Sequence, residues 1–223
     1  CGAALVQIQR TTHSGRYTNG QKSVNGYAFD IALGEQTNFD QYCLAIKSAQ
    51  RTIYIENQYV EVLEIVEALH DALERGVEVV LLMPAIPDIS PAAYDSPERK
   101  VFFEARSALN QYDTFTLSGI AGLDTEGYRK PVYVHSKIML IDDAWATIGS
   151  ANLHHYSMFG NGEINAAIYS PETVRSFRIA LFKEHLALDT SDLDDRAALH
   201  LFRQISKNNR ESLSRGDHQW QGI

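Results

Sequence analysis

The run Tyr133-Val134-His135-Ser136-Lys137-Ile138-Met139-Leu140-Ile141-Asp142-Asp143-Ala144-Trp145-Ala146-Thr147-Ile148-Gly149-Ser150-Ala151-Asn152 decides how this chain is read. Residues 133–141 and 145–150 have the apolar, β-branched character of strands, and Asp142-Asp143 between them is a turn signal. The run therefore predicts a hairpin. Side chains two apart on a strand share a face, so His135 and Lys137 are expected to point one way while Val134, Ser136 and Ile138 point the other. Folding about the turn brings Gly149 and Ser150 opposite the His135–Lys137 segment. Spacing alone thus gathers an imidazole, an ammonium, a hydroxyl and a carboxamide at one place, with Glu163 opening the next strand.

Those groups suit phosphodiester chemistry. An imidazole titrates near working pH, so it can attack phosphorus or protonate a leaving oxygen. A carboxylate on the far ring nitrogen would fix its tautomer, and Glu163 is the candidate. Lys137 supplies positive charge, and Ser150 and Asn152 supply neutral donors, for phosphoryl oxygens as charge builds on them. A metal at His135 is disfavoured, because Lys137 would repel a cation and no second ligand stands at a suitable offset. Gly149-Ser150 lacks the second glycine of a serine-hydrolase elbow.

Outward from the hairpin, strands and helices alternate. Strands are expected at 4–9, 52–56, 77–83, 114–117 and 164–169. Helices are expected at 38–50, 61–75, 98–109, 172–188 and 192–207. Residues 11–36 read as an irregular connection anchored by Tyr17, Tyr27 and Phe29. Residues 84–97, with four prolines, and 121–131 read as loops. The alternation predicts an α/β fold, a mixed sheet with helices on both faces. Gln58, just past a buried strand, is read evenly as a pocket residue or a satisfier of backbone groups. His154 and His155 read as a solvated pair, His185 as a helix-face residue, Val101-Phe102-Phe103 as core, and Cys43 as a buried thiol.

The pattern HxK-x4-D from His135 to Asp142, six residues, and then GSxN ending at Asn152 resembles the signature of the phospholipase D superfamily. The full pattern would arise by chance on the order of once in a few hundred thousand such chains. Val6 to Arg10, Ile53-Tyr54-Ile55-Glu56-Asn57-Gln58-Tyr59, and the helix and strand that follow resemble the C-terminal half of two-motif enzymes, over most of residues 4–188. The resemblance implies a metal-independent and cofactor-free reaction through a phosphohistidine, acting on phospholipid headgroups by hydrolysis or by phosphatidyl transfer to an alcohol. It implies Asp142 and Gly149 as structural, His135 as general acid (or nucleophile), Lys137, Asn152 and Glu163 as catalytic, and Lys137, Ser150 and Asn152 against the substrate, where Gln58 joins them if its pocket reading holds.

No other histidine of this chain is followed two residues on by lysine, so one chain carries half of such a site. The chain opens at Cys1 without an initiator Met. Both features point to a single catalytic half, residues 1–223 with a polar tail at 208–223, whose partner is an N-terminal half or a second copy. The net charge of −8 weighs against gripping a nucleic-acid backbone. No apolar run reaches the length of a membrane span, which leaves peripheral contact with a bilayer open. A homodimeric nuclease of the same superfamily and an inert interaction module stand as alternatives.

Overall fold

The computed structural model describes residues 3–17, 26, 31–86 and 97–222. Its centre is a pair of strands buried on both faces, β3 (Thr52–Asn57) and β4 (Glu78–Leu82). Their β-branched and aliphatic runs suit a parallel pair covered by helices on either side. Burying each such side chain contributes about 1.5–3 kcal/mol. With β1 (Leu5–Thr12), β2 (Glu35–Gln36), β5 (Phe115–Ser118), β8 (Lys137–Ile141), β9 (Trp145–Gly149) and β10 (Glu163–Tyr169) they form one sheet, ordered β2-β1-β10-β9-β8-β3-β4-β5. Strands β3, β4 and β5 run parallel, and the remaining neighbours run antiparallel.

Helices α1 (Thr37–Ser48), α2 (Leu63–Glu74) and α3 (Pro97–Ala108) cover one face, where Ile46, Ile65, Leu69 and Phe102 pack on Ile53, Ile55, Val79, Leu81, Met139 and Ile141. Helices α4 (Pro171–Leu186) and α5 (Asp195–Ser214) cover the other, where Val174, Phe182, Leu199 and Phe202 meet Tyr54, Val80, Leu82, Leu140 and Ala146. The expected mixed sheet with helices on both faces is the architecture found.

Hydrogen bonds at the chain reversals hold the layers in register. Asp142 and Asp143 both take positive φ in the β8–β9 turn. Asp142 accepts from the backbone N–H groups of Gln50, Arg51 and Thr52, at 2.9, 2.9 and 2.8 Å, tying the hairpin to the start of β3. Asp143 takes a two-pronged bond from buried Arg178, at 3.0 and 2.7 Å, tying the same turn to α4. Ser170 caps α4 through Thr173 N, and Asp194 caps α5 through Ala197 N.

Several expectations fail at the level of segments. Residues 121–131 are a two-stranded hairpin, β6 (Ala121–Leu123) and β7 (Arg129–Pro131), closed by Asp124 accepting from Glu126 N and Tyr128 N. Pro97 opens α3, a position where its missing N–H costs nothing. Helix α5 continues to Ser214, past the expected tail boundary at 208, and the segment after it packs back through Arg129 to Trp220 and Gln221 to Leu186. The connection at 11–36 begins and ends in strand, with Thr11 paired to Gln36. Tyr27 and Phe29 lie outside the described residues, as do 87–96 of the proline-rich loop. Val101 is exposed, so only the two phenylalanines of its run face inward. Cys43 is a half-buried free thiol.

Candidate active site

Register places the end of β3, the start of β8, the end of β9 and the start of β10 at one edge of the sheet. Asn57 pairs with Lys137, and Asn165 pairs with Gly149. Lys137 is the first residue of β8, and residues 132–136 precede it outside any ladder. The strand expected from Tyr133 is therefore four residues shorter. His135 is exposed and Lys137 is buried.

The Lys137 ammonium is held at 2.7 Å by the carbonyl of His135 and at 3.3 Å by Gln58 Oε1. Asn152 Nδ2 donates to the same Gln58 oxygen at 3.4 Å. Gln58 thus joins the lysine of one segment to the asparagine of another. Its amide nitrogen donates to the Tyr133 hydroxyl, and the Tyr133 ring lies nearly parallel to the His135 imidazole, 23° off with centroids 6.3 Å apart. Burial pushes the Lys137 pKa down from the ordinary lysine value, and the Glu163 carboxylate pulls part of the way back.

Ser150 donates to Glu163 at 2.5 Å, and Ser157, on the π-helical turn Tyr156–Gly160, donates to the other carboxylate oxygen at 2.9 Å. Among the described residues the His135 ring has no hydrogen bond, so Glu163 braces two hydroxyls here rather than the imidazole. Two buried asparagines shape the loop that carries Ser150 and Asn152. Asn165 Oδ1 accepts from Ala151 N at 3.1 Å, and Asn57 Oδ1 accepts from Leu153 N at 3.2 Å. Gly149 is glycine because a Cβ there would lie 2.1 Å from Asn165 Oδ1 and 2.4 Å from the Ile164 carbonyl.

Behind Ser136 lies a cluster that the sequence did not disclose. Glu56, buried at the end of β3, accepts from Ser136 Oγ at 2.7 Å, Tyr54 Oη at 2.8 Å and His185 Nε2 at 3.0 Å. Burial alone would raise the Glu56 pKa, but the bonds from His185, Ser136 and Tyr54 and the His185 charge outweigh it, leaving the carboxyl below its usual range. Burial, then the Glu56 charge, holds the Tyr54 phenol well above its ordinary value, so its hydroxyl stays a donor. His185 is therefore a buried partner, not a helix-face residue. His154 faces Glu61 at 3.4 Å, on the loop that follows Asn152. Strand parity could have found Tyr133, two residues before His135. Nothing local marks the Glu56–His185 pair, 129 residues apart.

A mixed sheet layered by helices on both faces, with His-x-Lys entering it at one rim, is the arrangement of a phospholipase D-like domain. The chain matches the family described as the cardiolipin synthase, PLD-like domain over residues 42–185, and it belongs to that family. It is 32% identical over 184 residues to cardiolipin synthase 1 of Staphylococcus epidermidis, which covers 81% of this chain and 34% of that protein. It is 27% identical over 230 residues to phospholipase D zeta 1 of Arabidopsis thaliana, covering 78% and 21% respectively. The solved structure of Nuc from Salmonella typhimurium, a phospholipase D family member, aligns with a TM-score of 0.51 at 17% identity, over 78% of this chain and 89% of that one. The chain spans about a third or less of the length of these curated relatives. No helix among the described residues is long and apolar enough to cross a membrane.

Proposed function

We propose that this chain is one half of a phosphodiesterase that cleaves phospholipid headgroups or passes the phosphatidyl group to an alcohol. The observation that supports the reading is an exposed His135 two residues from an ammonium whose position is fixed by His135 O and Gln58. The names of the relatives, cardiolipin synthase and phospholipase D, favour a phosphatidyl group as the part transferred.

In this scheme one imidazole nitrogen forms a bond to phosphorus while the phosphorus–oxygen bond to the leaving alcohol breaks. A second imidazole gives that oxygen its proton. Water or an acceptor alcohol then attacks phosphorus as the second imidazole takes the acceptor's proton, and the phosphorus–nitrogen bond breaks. His135 takes the acid and base part, following the resemblance to C-terminal halves. Lys137 and Asn152, already joined through Gln58, meet the equatorial oxygens with N–H groups, and Ser150 adds its hydroxyl there by turning its one proton from Glu163 to the phosphoryl group. The chain is read as a single catalytic half over residues 1–223.

Two imidazoles are needed, and the chain has one His-x-Lys pair. An N-terminal half or a second copy supplies the other. An open part of the sheet supports such a partner. Val6, Ile8, Ile148 and Ile164 are exposed, on one face, beside Ser150 and Glu163. An apolar surface of this kind favours being covered.

The test is to supply the full protein, partner half included, with phosphatidylcholine or phosphatidylglycerol vesicles and added ethanol. Free headgroup and phosphatidylethanol are expected. Vesicles recovered intact after many hours, with single-stranded DNA degraded instead, would replace this reading with the nuclease one.

A further inference from the structure

A cavity of about 260 Å3 lies on the α5 side of the sheet, at the ends of β4 and β5. Leu117, Ile120, Phe202, Ile205, Leu213 and Trp220 give it an apolar wall. An apolar cavity of ~150 Å3 accommodates benzene, so this one has room for roughly ten non-hydrogen atoms of a chain.

Two guanidinium groups line the same space, Arg129 and, on its exposed rim, Arg210. Arg129 donates to the carbonyls of Ala121 and Trp220, both at 3.0 Å, and lies 5.0 Å from the Trp220 ring centroid. Arg210 donates to the Leu117 carbonyl at 3.2 Å. Carbonyl dipoles orient these groups without cancelling their charge. Arg10, Arg51, Arg178 and Arg203 each pair with a carboxylate. Arg129 and Arg210 have no such partner among the described residues, as Arg75, Arg175 and Arg196 also do not, but these two converge on one apolar cavity. His185 also lines the cavity. It is buried, its Nε2 is committed to Glu56, and its Nδ1 has no partner among the described residues. A buried polar atom left in this way is costly unless something meets it.

We propose that this cavity binds a linear alkyl chain of about eight to ten carbons that ends in an anionic head, a length set by the cavity volume. The chain lies against Phe202, Ile205 and Trp220, and the head is held by Arg129 and Arg210. The site lies at the same end of the sheet as His135 and Lys137 but on the opposite, α5-covered face and with other lining residues, and it stands whether or not those two residues cleave phosphodiesters. A carboxylate amphiphile and a phosphate-headed lipid share this chemistry, and the test distinguishes them.

Trp220 and Trp145 are the two tryptophans, so Trp145→Phe leaves the cavity residue as sole reporter. Decanoate, decyl phosphate and decanol are titrated into the full chain below their micellar concentrations while Trp220 emission is followed. A saturable change is expected with at least one of the two anions, with decanol at least tenfold weaker. The tighter of the two anions identifies the source as carboxylate or phosphate. Arg210→Leu, at an exposed position, is expected to weaken the anion at least tenfold without lowering the melting temperature of the unliganded protein. No saturable change with either anion, decanol binding as tightly as the anions, or unaltered affinity in a folded Arg210→Leu variant would each overturn the proposal.

Discussion

Ser136 Oγ donates to Glu56 Oε2 at 2.7 Å, so the residue between His135 and Lys137 is anchored to a buried carboxylate on the far side of the sheet. Glu56 and Ser136 face the α4–α5 layer, while Lys137 faces the α1–α2 layer. The polar network on one face therefore fixes the backbone from which the reactive groups on the other are presented.

Removing that carboxylate leaves His185, Ser136 and Tyr54 without their acceptor. Glu56→Ala is expected to cost about 1–3 kcal/mol at pH 7 for each buried donor left without its acceptor. The sign with pH follows from the lowered Glu56 pKa. The ionised carboxylate stabilises the fold fully above the unfolded value of about 4.3, and that contribution fades as pH falls through the lower folded value. Urea midpoints of wild type and variant should thus differ at pH 7 and converge on acidification below about pH 4. A gap that widens in acid would contradict the assignment.

Lys137 is placed for charge rather than for stability. Its pKa is depressed by burial, so the folded protein bears a penalty for the ammonium at neutral pH that the unfolded chain does not. The penalty is full below the folded pKa and is relieved as pH rises through it. Lys137→Met, a near-isosteric apolar change, is expected to melt no lower than wild type at pH 7 while turnover falls about 100- to 1,000-fold. Differential scanning fluorimetry beside a headgroup-release assay separates the two effects. A variant that melts lower yet keeps its turnover would show that the lysine is structural.

Asp142 has the opposite profile. Three backbone N–H groups depend on it, far from the reacting edge. Asp142→Ala should lose about 1–3 kcal/mol for orphaned donors. The molecules that remain folded should keep activity within a few-fold, normalised by active-site titration or by native mass. Complete inactivity of a fully folded variant would place the carboxylate in the chemistry.

How much of this was legible in the sequence depends on the distance over which each relation acts. Periodicity found the buried strands and the amphipathic helices because those patterns repeat within a dozen residues. The β8–β9 turn was readable because Asp142-Asp143 is a local signal. The β6–β7 hairpin was missed because its strands have three residues each and its turn chemistry, Asp124 beneath Tyr128, resembles a loop's. The start of β8 was misplaced because alternation continues through Tyr133 and Val134, whereas ladder pairing begins only where Asn57 is available to Lys137. The sequence around Gln58 suits a pocket residue and a satisfier of backbone groups equally, and its contacts with Lys137, Asn152 and Tyr133 are all to side chains. The partners of Glu163 could not be anticipated, since Ser157 reaches it from a π-helical turn with no local signature.

The direct measure of the account is headgroup release by the complete protein, partner half present, with and without His135→Ala. The ring is exposed and makes no hydrogen bond among the described residues, so its loss should leave the fold and melting temperature unchanged while turnover drops by about 100- to 10,000-fold. Undiminished release by the folded variant would contradict the account.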